Sequence, residues 1–372
     1  MGKPYPISRE TLQRFLVNRS FLGNPASDLL LVLKFFRCLQ VDPIDVVSRS
    51  HELALFNRVA NFHKSDLQTA LYQDRIIYEY WLQLFSLIPT EFYPQLSARR
   101  KIVDTWHHEF QTEHQLAINQ AKQYIYQNGP SSSFELSHIK SAKSLFSWSD
   151  TQSSSALLDF LWDRGELIIH HRQNNRKYYD FAFRTLGAIV RDIPVSESRD
   201  WILESCFYYS GIVRSNIFNR VGYSRELKLR ELFYEWIQTN RISAISIPGV
   251  STVYYVLTSD LPKIESLGSQ PISQKVNFLS PLDPLIIDRQ LVKDIFNFDY
   301  IWEAYTPIPK RKFGYYGMPV LYHGDFIGQL DLKKDNSQLK VKNSTLIYPD
   351  NSAKNEVKLA FKNLRNFCFQ SN

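Results

Sequence analysis

Glycine is scarce in this chain, 13 of 372 residues, which excludes collagen-like and glycine-rich low-complexity architectures. Cysteine is scarcer still. Cys38, Cys206 and Cys368 are scattered, form no C-x-x-C pair for zinc and are odd in number for a disulfide framework, so buried free thiols in a reducing compartment are expected. There is no long hydrophobic run either. The most apolar stretch, residues 29–36, is interrupted by Lys34 and falls far short of the roughly 20 residues a membrane span needs. Residues 1–10 lack the apolar centre of a signal peptide, and Pro6 stands where a myristoylation motif requires Ser or Thr. A cytoplasmic chain with no membrane partner is the expectation.

What is abundant is aromatic: 25 Phe, 21 Tyr and 7 Trp supply ample surface for packed cores and exclude a disordered chain. The length suits two or three packed modules. A formal net charge of +7 makes a polyanionic partner a reasonable first guess.

Hydrophobic spacing gives the organisation. Residues 1–130 read as helical: Ser8 is placed to cap a helix carrying Leu12, Phe15 and Leu16, a second helix runs from Pro25 to Arg37, and Asp45 is placed to cap a third. A polar helical stretch begins near Ser97 and stops at Gly129 and Pro130. Residues 131–195 then read as a helix bearing Ala156, Leu157, Phe160 and Leu161, a break at Gly165, and a hairpin through Leu167, Ile168, Ile169, Tyr178 and Tyr179. Residues 196–272 repeat that grammar, with Leu229, Leu232, Phe233, Trp236 and Ile237 on a helix and a hairpin around Pro248-Gly249. A helix followed by a β-hairpin is the outline of a winged helix-turn-helix. Residues 273–372 break into short strand-like runs at 318–322, 326–332 and 339–348, closed by an amphipathic helix with Val357, Ala360, Phe361 and Leu364 on one face. The predicted class is α+β.

Winged helices meet DNA through a recognition helix and often through the hairpin tip. The tip at 170–177 is basic, with Arg172, Arg176 and Lys177, whereas the tip at 247–251 is not. A second basic group, Lys310, Arg311 and Lys312, follows two prolines and precedes Tyr315 and Tyr316, an arrangement suited to phosphates with aromatics beside them. Either group also serves as an ordinary solvated turn. The segment Ile247-Pro248-Gly249-Val250 imitates a helix-hairpin-helix motif, but the β-branched and aromatic residues from Thr252 to Val256 that follow prefer a strand.

Most informative is Gln40-Val41-Asp42-Pro43-Ile44-Asp45. Proline drives the preceding Asp42 out of helical conformation, and alternation puts Gln40 and Asp42 on one side of an extended stretch, where an amide and a carboxylate could hold one water. On residue types alone, a cap or turn is the better account of them, since polar residues between helices are usually that.

Leu39-Gln40-Val41-Asp42 with its continuation Val46, Val47, Ser48, Arg49, Ser50, His51, Leu55, Phe56, Asn57 and Arg58 resembles the signature of the YcaQ/AlkZ-like winged-helix DNA glycosylases. So do Tyr78-Glu79-Tyr80-Trp81 with Ser86-Leu87-Ile88-Pro89, the block from Ser280 to Arg289, and the block from Tyr305 to Tyr316. The resemblance implies tandem winged helices, three in all, forming a concave scaffold with a β-rich C-terminal domain. It assigns catalysis to Gln40 and Asp42 in the Gln-x-Asp form, with Asp42 as the base and no cofactor or metal. It further implies an enzyme that releases alkylated purines and unhooks interstrand crosslinks in double-stranded DNA; cationic alkylated purines as leaving bases, a monomer and association with the nucleoid are expected beside it. Arg49, His51 and Arg58 of the signature join the two basic groups as expected DNA contacts. One departure stands out: Gln83 occupies the place, two residues past the Trp, where related sequences commonly carry His. A non-enzymatic winged-helix regulator is the rival reading, and it would favour one short DNA sequence by about a thousandfold or more.

Overall fold

A computed structural model describes residues 3–139, 154–174, 176–336 and 338–370; part of the 131–195 module and Asn175 at its hairpin tip lie outside them. The chain divides into two compact units of interleaved segments, Met1–Leu67, Glu204–Asn219 and Arg230–Asn372 in one, Gln68–Leu203 and Arg220–Leu229 in the other. The serial modules read from the sequence are thus cut across by the fold. The class is α+β as expected, and among the described residues no helix is long and apolar enough to cross a membrane.

In the first unit, Ser8 caps the helix Arg9–Arg19 by accepting from Thr11 N–H. The apolar face of that helix, Leu12, Phe15 and Leu16, enters a core shared with Ile245, Tyr254, Val256, Ile264, Leu291 and Ile295. Close approach demands Gly268, since a Cβ there would lie 2.4 Å from the Thr11 methyl. The expected hairpin forms from Ile242–Ser246 and Tyr254–Leu257, pairing Ile242 with Leu257 and Ile245 with Tyr254. The segment after Pro248-Gly249 is therefore strand, not helix. Tyr5–Pro6 adds in parallel on one side and Val213–Arg214 antiparallel on the other. The C-terminal part is a second antiparallel sheet of Val276–Phe278, Gly317–Tyr322, Asp325–Asp335 and Gln338–Ser344. Helix Asn351–Cys368 packs beside it, stacking Phe367 on Phe56 at 4.5 Å.

In the second unit, the polar helical stretch is three helices, Ser97–Trp106, His108–Glu113 and Gln115–Asn128, ended by Gly129 at φ 78°. Helix Ser154–Asp163 leads into the hairpin Leu167–Gln173 and Arg176–Phe181. This unit also holds a hairpin that the sequence reading missed: Ile77–Trp81 pairs with Phe85–Pro89, just after helix Lys64–Tyr72. Among the described residues it makes a third helix-and-hairpin, the first in chain order. Both of its strands are buried almost end to end, so the alternation that betrays a half-exposed strand is missing. Its turn, Leu82-Gln83-Leu84, contains no Gly, Asn or Pro.

Candidate active site

Helix Leu29–Phe36 ends where Arg37 adopts a left-handed φ of 64°. Such a conformation is costly for a residue with a Cβ, and here Arg37 is held by an ion pair with Glu204 at 2.5 Å and by stacking over Tyr208 at 4.0 Å. The reversal sends the chain into the short strand Leu39–Gln40 and then into an irregular segment through Arg49. Pro43 has no N–H to offer, so the Asp42 carboxylate accepts from the next amide, Ile44, at 2.8 Å. Gln40 and Asp42 are both half-buried. Burial raises the Asp42 pKa and outweighs the opposing effect of the Ile44 amide.

Asp45 does not cap the next helix, contrary to expectation. Helix Ser50–Arg58 starts five residues later, where Glu52 accepts from Ser48 Oγ and from Arg49 N–H. Asp45 instead pairs with Lys334 at 2.7 Å, while the Lys334 amide donates to the Val46 carbonyl at 3.2 Å. Strand Asp325–Asp335 thereby clamps the segment that carries Asp42. On another side, the fully buried Tyr316 places its hydroxyl 3.4 Å from Ser50 Oγ. Burial pushes the Tyr316 pKa up, the Ser50 contact lowers it, and the nearby charges of Tyr300, Asp42 and Asp45 add to the rise. Tyr316 therefore lies within electrostatic reach of Asp42. Neither Tyr316 nor Lys334 was among the residues expected here. Tyr316 stands in the last family block, whereas nothing local marks Lys334.

The other expected contacts divide. Lys310 and Lys312 are exposed, and Tyr315 is at the surface. Arg311 is half-buried, with Nε donating to the Thr306 carbonyl at 2.8 Å and its guanidinium 5.0 Å over Tyr315. The buried Glu303 braces this loop by accepting from the amides of Lys312, Phe313 and Gly314 at 2.7, 2.8 and 3.0 Å. Although burial pushes the Glu303 pKa up, those three donors prevail and hold it below the usual carboxylate value. On the 167–181 hairpin, Arg176 is exposed with Phe134 under its guanidinium at 5.1 Å. Lys177 lies 3.8 Å from Asp159 and 5.0 Å from the Trp162 ring.

Four further expected contacts are partly or fully enclosed. Arg58 is fully buried and forks onto the equally buried Asp283 at 2.6 and 2.7 Å, so it is an internal tie and not a phosphate ligand. His51 is only 4% exposed, and Arg49 is half-buried at the helix start. Arg172 grips the buried Glu79 through three contacts of 2.8 to 3.1 Å, which commits its charge to joining two hairpins of the same unit. Gln83 sits half-buried in the turn of the first hairpin.

Three helix-and-hairpin units among the described residues are the outline of a winged-helix protein. The family model described as DNA glycosylase AlkZ-like matches residues 34–367, and the chain belongs to that family; it is a DNA glycosylase. Among solved structures it is similar to Streptomyces sahachiroi DNA glycosylase AlkZ, with a TM-score of 0.64 over 98% of this chain and 97% of that one. Their sequence identity is 15%, so that likeness speaks for the fold.

Proposed function

We propose that this glycosylase hydrolyses the N-glycosidic bond of cationic N-alkylated purines in duplex DNA, N7-alkylguanine above all, and unhooks interstrand crosslinks through the same bond. Asp42 is the general base and Gln40 orients the water. As the C1′–N bond lengthens, its electron pair moves onto the positively charged base, which leaves neutral. The sugar acquires oxocarbenium character, which the Asp42 carboxylate stabilises. Water then bonds to C1′ and gives its proton to Asp42, leaving an abasic site. The observation that carries this reading is the half-buried carboxylate of Asp42, close enough to solvent to meet a water and desolvated enough to act as a base. Lys334, whose backbone abuts the segment, has its ammonium on Asp45, in keeping with hydrolysis and not a Schiff-base route.

Incubation of the purified protein with an N7-methylguanine duplex should release free base. Asp42→Asn should keep DNA affinity and lose about 10²- to 10⁴-fold in single-turnover rate, the loss typical of removing a general base. Wild-type turnover by this variant would remove Asp42 from the mechanism.

A further inference from the structure

The loop between Glu303 and Tyr316 carries two of the most exposed large apolar side chains among the described residues, Tyr305 at 80% and Ile308 at 76%. Isolated exposed hydrophobics need no explanation. Here, however, the backbone beneath them is tied down. Thr306 N–H donates to the Glu303 carbonyl and Lys310 N–H to the Pro307 carbonyl, Glu303 receives the three amides described above, and Pro307 and Pro309 flank Ile308. The Tyr305 ring rests edge-on against Trp302 at 5.4 Å. A loop ordered in advance presents apolar side chains at a smaller entropic cost on binding. The exposed Lys310 and Lys312 beside them match phosphate and would oppose an apolar protein face. At its far end the loop runs into Tyr316, which touches Ser50 and lies near Asp42.

We propose that this loop is a wedge for duplex DNA: Ile308 enters the base stack beside the damaged nucleotide, Tyr305 covers the exposed base face, and Lys310 and Lys312 hold the flanking phosphates. Apolar residues of this kind part base steps in other duplex-binding proteins. Placing the wedge next to the lesion rests on the reading that Asp42 marks the reaction centre. Local unstacking also suits a crosslinked base, which is tethered to the opposite strand and cannot swing out alone.

The test uses a duplex with 2′-fluoro-7-methylguanosine, whose glycosidic bond resists cleavage, next to 2-aminopurine, whose fluorescence rises on unstacking. Wild-type protein should raise the signal, and Tyr305→Ala/Ile308→Ala should abolish the rise while melting at the wild-type temperature. In excision assays that double variant should lose about tenfold on N7-methylguanine in a matched duplex, the scale of losing a base-stacking contact. It should lose less than twofold when the lesion sits in a pre-unstacked bulge. Equal losses on both substrates, or no loss on either, would overturn the wedge, as would a fluorescence rise undiminished in the variant. None of these readouts uses an Asp42 variant, so failure of the wedge and failure of Asp42 as the base are told apart.

Discussion

Asp42 is pulled in two directions, upward by burial and downward by the Ile44 amide, and burial prevails. The working form of a general base is the ionised one. Excision should therefore be full above the Asp42 pKa and fall as pH drops through it, with this acid limb lying above the ordinary aspartate value of about 3.9. A single-turnover pH profile on N7-methylguanine DNA checks this, and Asp42→Asn should flatten the limb along with the rate. Gln40→Ala should lose less than Asp42→Asn, because misplacing a water is milder than removing a charge beside a cationic sugar. Arg58 makes a contrasting case. Arg58→Met leaves the buried Asp283 carboxylate without its partner, and breaking such a pair costs about 3–5 kcal/mol. Denaturant unfolding should show that loss, while the folded fraction keeps its DNA affinity. Weakened DNA binding with unchanged stability would restore Arg58 to the interface.

At the scale of elements, the basic loop is the part whose contribution to binding is most directly countable. Lys310 and Lys312 are exposed, but Arg311 is engaged with Thr306 and Tyr315. Replacing all three by Ala should weaken binding to every DNA sequence alike and flatten the dependence of log K on log salt by about 2, close to the 0.9 per phosphate contact of two cations. An unchanged slope would make the loop a solubility device. How legible such elements were depended on how much of their pattern was local. The hairpins at 167–181 and 242–257 announced themselves through apolar runs broken at Gly165 and Pro248-Gly249. The one at 77–89 did not, since burial on both faces erased the alternation and its turn lacks turn-forming residues. Gln40 and Asp42 were legible as neighbours in a motif. Lys334 reaches the same segment from 289 residues beyond Asp45 and Tyr316 from 266 residues beyond Ser50, and no local pattern records so distant a contact. Arg58 and Arg172 were misread for the complementary reason: a sequence shows a charge but not the buried carboxylate that neutralises it.

For the molecule as a whole, the chemistry of the leaving group should decide what is cut. The candidate site offers a carboxylate and an amide; of the two groups described beside it, Lys334 is on Asp45, and Tyr316 is beside Ser50 with its pKa pushed up. A phenol shifted in that direction is a poorer acid, so it is ill suited to protonate a departing base. An alkylated purine needs no such help, because its positive charge accepts the bonding electrons and it leaves neutral. Uracil or hypoxanthine would leave as an anion unless protonated, and the missing stabilisation stands as several kcal/mol of barrier, where each 1.36 is about tenfold in rate. We therefore expect release of N7-methylguanine, and unhooking of crosslinks joined through N7 of guanine, with uracil and hypoxanthine essentially untouched. Parallel single-turnover kinetics on matched duplexes carrying N7-methylguanine, hypoxanthine or uracil measure this directly. Comparable rates on all three would demand a general acid beside Asp42, and Tyr316→Phe would then be the variant to separate the two mechanisms, since it removes a phenolic proton within electrostatic reach of that carboxylate.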